Sequence, residues 1–143
     1  MKLFPTNLSP SKTLIMSTSY TISICPFAQR HYLKNFARKY KAAWSITWRA
    51  ICEEFSRFDS LLDTSIAEII IENGDLKIAK TEFRIAGTKE SRKSSGNRAI
   101  VAICHNLVSV LLIYHKSDLG DGNETAKWKN MIKDNYPEYR NMF

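Results

Sequence analysis

The stretch NRAIVAICHNLVSVLLIYHKS, residues 97–117, decides the fold. Two apolar runs rich in Ile, Val and Leu flank the pair His105-Asn106, and that punctuation predicts a β-hairpin with strands over 97–104 and 107–114. The second run, Leu107 to Tyr114, is the longest strongly apolar stretch. It falls far short of the ~20 residues that span a bilayer, so the expectation is a soluble protein with no membrane partner. If Leu112 and Tyr114 share one face of their strand, His115 points the other way and Lys116 returns to the side of Tyr114.

Upstream of the hairpin, residues 77–86 also read as a strand. The intervening segment, Gly87 to Gly96, is a loop of small and basic residues ending in a Ser-Ser-Gly turn. Asn73-Gly74 marks a reversal after Ile69, Ile70 and Ile71; what precedes it is compatible with a short helix or a strand. Earlier still, Tyr20 to Cys25 alternates with period two and predicts the first strand. Pro26 suits a helix start, and residues 27–41 place Leu33, Phe36, Ala37 and Tyr40 on one stripe with Arg30, Lys34, Arg38 and Lys41 on another. A second helix carries Trp44, Trp48, Ile51, Phe55, Phe58 and Leu62 at helical spacing. That aromatic stripe has the spacing of a buried face rather than of a base-stacking surface. Downstream, Asp121-Gly122-Asn123 precedes a short helix over about 124–134, whose Trp128, Met131 and Ile132 can dock on the sheet. The predicted class is α+β in the order β-α-α-β-β-β-α: a small, mostly antiparallel sheet packed against an N-terminal helical hairpin, with a short C-terminal helix. No internal repeat is visible.

Residues 1–18 are rich in Ser, Thr and Pro and read as a flexible arm ahead of a single domain over 19–143, with Met16 a candidate alternative start. Pro5, Ser9, Pro10, Ser11 and Lys12 interrupt any apolar core of a secretion signal. Cys25, Cys52 and Cys104 are odd in number and contain no CxxC pair, which argues against a disulfide framework and a zinc site and for free thiols in a reducing, cytoplasmic setting.

The net charge of +7 and pI near 9.4 attract phosphates, acidic proteins or anionic lipid alike. The charge is unevenly placed. Between Lys77 and Arg98 seven cations (Lys77, Lys80, Arg84, Lys89, Arg92, Lys93, Arg98) face only Glu82 and Glu90, so this segment holds five of the seven net charges. A solvated charged loop is one reading of such a run. Lys80, Glu82 and Arg84 are spaced two apart, however, so Lys80 and Arg84 are expected on one sheet face, with Arg98 on the next strand able to join them. Convergent cations on a rigid sheet suit a phosphate. With Tyr114 as a stacking ring nearby, they would suit single-stranded RNA.

Four short elements in this order carry a family resemblance: Phe83-Arg84-Ile85-Ala86, Lys93-Ser94-Ser95-Gly96, Asn97-Arg98-Ala99-Ile100 and Ile113-Tyr114-His115-Lys116-Ser117. They resemble the sheet region of RelE-type toxins of bacterial toxin-antitoxin pairs, and the predicted element order agrees with the compact sheet of that superfamily. The resemblance implies a metal- and cofactor-independent endoribonuclease that cuts mRNA, usually on the ribosome, and is inhibited by a cognate antitoxin protein. The RNA's own 2′-hydroxyl is then the nucleophile. Carried over by position, Arg84 and Arg98 would hold the scissile phosphate, Lys116 would add charge or donate a proton and Lys80 would assist. Lys89, Arg92 and Lys93 would grip the flanking backbone and Tyr114 would stack. Asn97 departs from the family's aromatic residue, and Leu119 to Asn123 contains no tyrosine equivalent, so no general base is assigned. His115 is the substitute that titrates in the right range, against a structural role on the opposite strand face; His31 and His105 read as structural. A ParE-like toxin that poisons DNA gyrase on the same scaffold, and a plain RNA-binding module, are the competing functions.

Overall fold

A computed structural model describes residues 19–143; the arm expected over 1–18 and Met16 lie outside the described residues. The chain builds one five-stranded sheet with helices on both faces. β1 (Thr21–Ile24) is followed by a helical run, α1, made of Pro26–Ala28, a π-helical turn Gln29–Leu33 and Lys34–Tyr40. α2 (Ala42–Phe55) and α3 (Phe58–Leu62) come next, then β2 (Ala67–Asn73), β3 (Leu76–Phe83), the short α4 (Arg92–Ser95), β4 (Asn97–Cys104), β5 (Leu107–His115) and α5 (Glu124–Asn135). Two 3-10 turns, Lys116–Leu119 and Pro137–Met142, flank α5. The strand order is β1-β5-β4-β3-β2, with β1 parallel to β5 and the remaining pairs antiparallel.

The α+β class, the mostly antiparallel sheet, the helical hairpin and the C-terminal helix are therefore present, with corrections. The ambiguous segment before Asn73-Gly74 is a strand, β2, which adds an edge to the expected four. The strand expected over 77–86 stops at Phe83. The second helix breaks at Ser56-Arg57, so Phe58 and Leu62 belong to α3. The expected Gly87–Gly96 loop contains a helical turn, α4.

The faces divide cleanly. Ala79, Phe83, Ala99, Val101, Val108, Val110 and Ile113 pack against α1, α2 and α3 through Phe36, Trp44, Ile51, Phe55 and Phe58. The aromatic stripe is thus core, with Trp48 and Leu62 at its partly buried margin. On the other face Ile78, Ile100, Leu112 and Tyr114 meet Trp128 and Ile132 of α5. A β-bulge sets this division. Ile100 pairs with Leu112 while Val101 pairs with Val110, so Leu111 is the extra residue. Uninterrupted alternation would put Val108, Val110, Leu112 and Tyr114 on one face. The added residue instead sends the two valines to the helical hairpin and Leu112 and Tyr114 to α5.

Cys25, Cys52 and Cys104 are free and partly buried, and no helix among the described residues is long and apolar enough to cross a membrane. Trp128, fully buried, is the anchor of α5. Trp128→Ala should cost about 3–5 kcal/mol, read as a lower urea midpoint with unchanged slope; a loss below about 1 kcal/mol would show that α5 is not held by this ring.

Candidate nucleic-acid site

The α5 side of the sheet carries two adjacent cross-strand rows. Glu82, Arg98 and Tyr114 lie side by side on β3, β4 and β5; one step along, Lys80, Ile100 and Leu112 form the next row. Lys80 and Arg98 therefore do share a face, as the period-two spacing predicts. The first turn of α5 brings Glu124 over them. The Tyr114 hydroxyl donates to Glu124 Oε2 at 2.8 Å, Arg98 Nε lies 3.7 Å from the same oxygen, and Lys80 Nζ is 3.9 Å away. Glu82 Oε2 sits 3.5 Å from Arg98 Nη2. Two cations, two carboxylates and a phenol thus converge where three strands and one helix end meet.

Arg98 is the least ordinary member. It is 7% exposed, and its Nε has no hydrogen-bond partner among the described residues. Nη1 donates to its neighbour's carbonyl, Asn97 O, at 3.2 Å, and Nη2 reaches Lys93 O at 3.5 Å. A buried guanidinium is costly to leave unmatched, and the charges of Glu82 and Glu124 offset that cost.

Local structure aims Arg98 at this place. Ser91 caps α4, its Oγ accepting from Ser94 N while Ser94 Oγ accepts from Ser91 N. Ser95 Oγ donates to Phe83 O at 2.6 Å, tying the turn to the end of β3. Gly96 then adopts φ 80°, and a Cβ there would meet His115 Nε2 at 2.7 Å, so only glycine turns the chain into β4 at this point. Arg92 makes a two-pronged ion pair with Glu54 of α2, one arm at 2.9 Å, anchoring α4 to the helical layer.

The remaining expected residues are distributed more widely. Arg84 lies beyond the end of β3, is exposed, donates to Thr88 O at 3.3 Å and lines a hollow with Thr47, Ala50 and Glu54 of α2. It does not join Lys80 and Arg98. Lys116 is exposed on the turn after β5, its amide donating to Gly96 O at 2.8 Å. Lys89 and Lys93 are exposed; Arg92 is engaged by Glu54. Lys93 and Arg92 line, with Lys80 and Glu82, a cleft of about 530 Å³. Tyr114 is wholly buried, so its ring is unavailable to stack on a base, and the hydroxyl is what it presents. His115 faces away from this cluster: its Nδ1 accepts from Ser117 N at 3.1 Å, and it lines a small hollow with Phe36 and Lys39 of α1. Glu124 and Glu82 are not among the site residues that the sequence pattern indicates. The first-turn position of Glu124, following Asn123, was the available signal, but only the docking of α5 reveals what it meets.

Burial and the hydrogen bond to Glu124 push the Tyr114 phenol well above its ordinary value, and burial does the same for Tyr136. Both remain protonated donors at neutral pH. Compared with protein-family models, curated proteins and solved structures, the chain matches none.

The raised phenols set an alkaline limit. The folded protein keeps protons that an unfolded chain releases near pH 10, so their stabilisation is complete below that pH and is lost as pH rises further. Urea unfolding between pH 8 and 12 should show stability falling from about pH 10, with a shallower fall in Tyr114→Phe; identical pH profiles for the two proteins would contradict the assignment.

Proposed function

We propose that the protein is a RelE-like toxin: an endoribonuclease that cuts mRNA, with the ribosome as its working context and a cognate antitoxin as its inhibitor. The observation that carries the reading is the pairing of the nine-tenths-buried Arg98 with Lys80 and the Tyr114 hydroxyl on one rigid sheet face. Arginine and lysine held in fixed register stabilise charge that develops on a phosphate in the transition state, without reorganising at the moment of reaction. The adjoining cleft adds Lys93 and the Glu54-paired Arg92 beside Lys80, together with Glu68 and Glu82, and its exposed Lys93 is the cation available there to flanking RNA backbone. The four sequence elements of the RelE resemblance support the same reading, since three of them (Lys93 to Gly96, Asn97 to Ile100 and Ile113 to Ser117) converge at the start of β4 and the end of β5.

On this reading the expected roles divide as follows. Arg98 and Lys80 hold the scissile phosphate, Tyr114 orients a carboxylate beside it, and Lys93 and Lys89 approach from the loop. Arg84 and Lys116 stand at the periphery. The runner-up, a ParE-like gyrase poison, gains weight from the near balance of charge at the cluster, where Glu82 and Glu124 both lie within 4 Å of a cation.

Lys80 is the cleanest residue to test, because its side chain is 24% exposed whereas Arg98 is buried against two carboxylates. In a translating extract the wild-type protein should halt synthesis and leave mapped mRNA ends, and Lys80→Ala should slow that cleavage by about 10²-fold with unchanged urea midpoint. Intact mRNA together with cleaved, gyrase-bound DNA would instead establish the runner-up.

A further inference from the structure

An RNase that uses the 2′-hydroxyl needs a proton acceptor beside the phosphate site, and the sequence motifs supply none. We propose that Glu124, on the first turn of α5, is that general base; the inference rests on the RNA-cleaving reading of the Lys80–Arg98 cluster.

The geometry selects Glu124 from the groups at hand. Tyr114 donates a hydrogen bond to Glu124 and is held neutral by burial. His115 lies on the opposite sheet face with Nδ1 engaged by Ser117. Lys80 and Arg98 are cations. Glu82 approaches Arg98 alone, from within the sheet. Glu124 alone stands between Lys80 and Arg98, the two groups that would hold the phosphate. Its side chain is 25% exposed, so substrate and water can reach it. Among the described residues its contacts all use Oε2, with Tyr114, Arg98 and Lys80. Oε1 is left to accept a proton. The phenol fixes the carboxylate rotamer, a positioning task that a tyrosine too buried to stack can still perform.

The step balances without a co-reactant. Glu124 takes the proton of the 2′-hydroxyl as O2′ bonds to phosphorus; the P–O5′ bond breaks, and the leaving 5′-oxygen takes a proton from water. The products are a 2′,3′-cyclic phosphate and a 5′-hydroxyl, and Glu124 returns its proton to solvent. Lys80 and Arg98 offset the charge gathering on the non-bridging oxygens.

The test uses the full chain on ribosomes programmed with a short mRNA, and on the free RNA, under single-turnover conditions. Glu124→Gln keeps an acceptor for Tyr114 while removing the base. It should cut the cleavage rate by about 10²–10⁴-fold, while binding of the same RNA carrying a 2′-deoxy scissile nucleotide is unchanged or tighter. Glu124→Asp, which keeps a carboxylate on a shorter arm, should restore part of the rate, which a merely structural role would not require. Cleavage by Glu124→Gln within about threefold of wild type would overturn the assignment of the base while leaving the RNase intact. Failure of the wild-type protein to cut or bind either RNA would overturn the RNase reading, and the base with it.

Discussion

A guanidinium buried between two carboxylates is the constraint around which this fold is arranged. Arg98 sits at the start of β4, within a row that runs Glu82, Arg98, Tyr114 across three strands. Ion pairs in such a place contribute little net stability relative to an apolar core, but removing one partner costs about 3–5 kcal/mol because the others are stranded. The row also ties the sheet to α5, since the carboxylate that completes it belongs to Glu124 and Trp128 and Ile132 of the same helix fill the core behind. Stability and site are therefore coupled through a single helix, and substitutions at Arg98 report on both at once.

The two layers of helix serve different ends. The hairpin of α1 and α2 buries a dense aromatic set, with Phe36 stacked on Trp44 at 4.9 Å between centroids and both rings against Phe83. It contributes bulk stability and, through Glu54, anchors the α4 turn that launches β4. The α5 layer is thinner and more polar at its leading end, where Asn123 caps the helix by accepting from Ala126 N at 3.0 Å. Lys127 Nζ donates to Leu119 O at 2.8 Å and also to Asp121 O, closing the loop that delivers Glu124. Precision at the site comes from this loop as much as from the strands.

Most of the secondary structure was legible from periodicity. The hairpin at His105-Asn106, the strand over 97–104, the core stripe of Trp44, Ile51, Phe55 and Phe58, and the docking of Trp128 and Ile132 all follow from spacing alone, because burial of a face imposes its period on the sequence. The misses share a physical cause. A bulge at Leu111 changes which face every later residue of β5 meets, yet one extra Leu in Val-Leu-Leu-Ile leaves no mark in composition. The end of β3 at Phe83 removes Arg84 from the sheet face that Lys80 and Glu82 share, and strand ends are set by what the partner strand offers. Lys80 and Arg98 were foreseeable as neighbours; Glu124 was not, since 26 positions separate it from Arg98 and no local pattern encodes which helix turn will cover a sheet row. Tyr114 shows the limit of reading residue type without burial: its ring looked like a stacking platform, and the fold uses its hydroxyl.

On the proposed reading, RNA phosphate enters the Lys80–Arg98 cluster rather than any other basic surface. A nuclear magnetic resonance titration of labelled protein with single-stranded RNA blocked by a 2′-deoxy nucleotide follows the Arg98 Nε–H signal, which has no hydrogen-bond partner among the described residues. If phosphate enters there, this signal and the Lys80 side chain shift together and saturate with the RNA. Shifts confined to the exposed cations of α1, Lys34, Arg38 and Lys39, with the Arg98 signal unmoved at saturation, would contradict it.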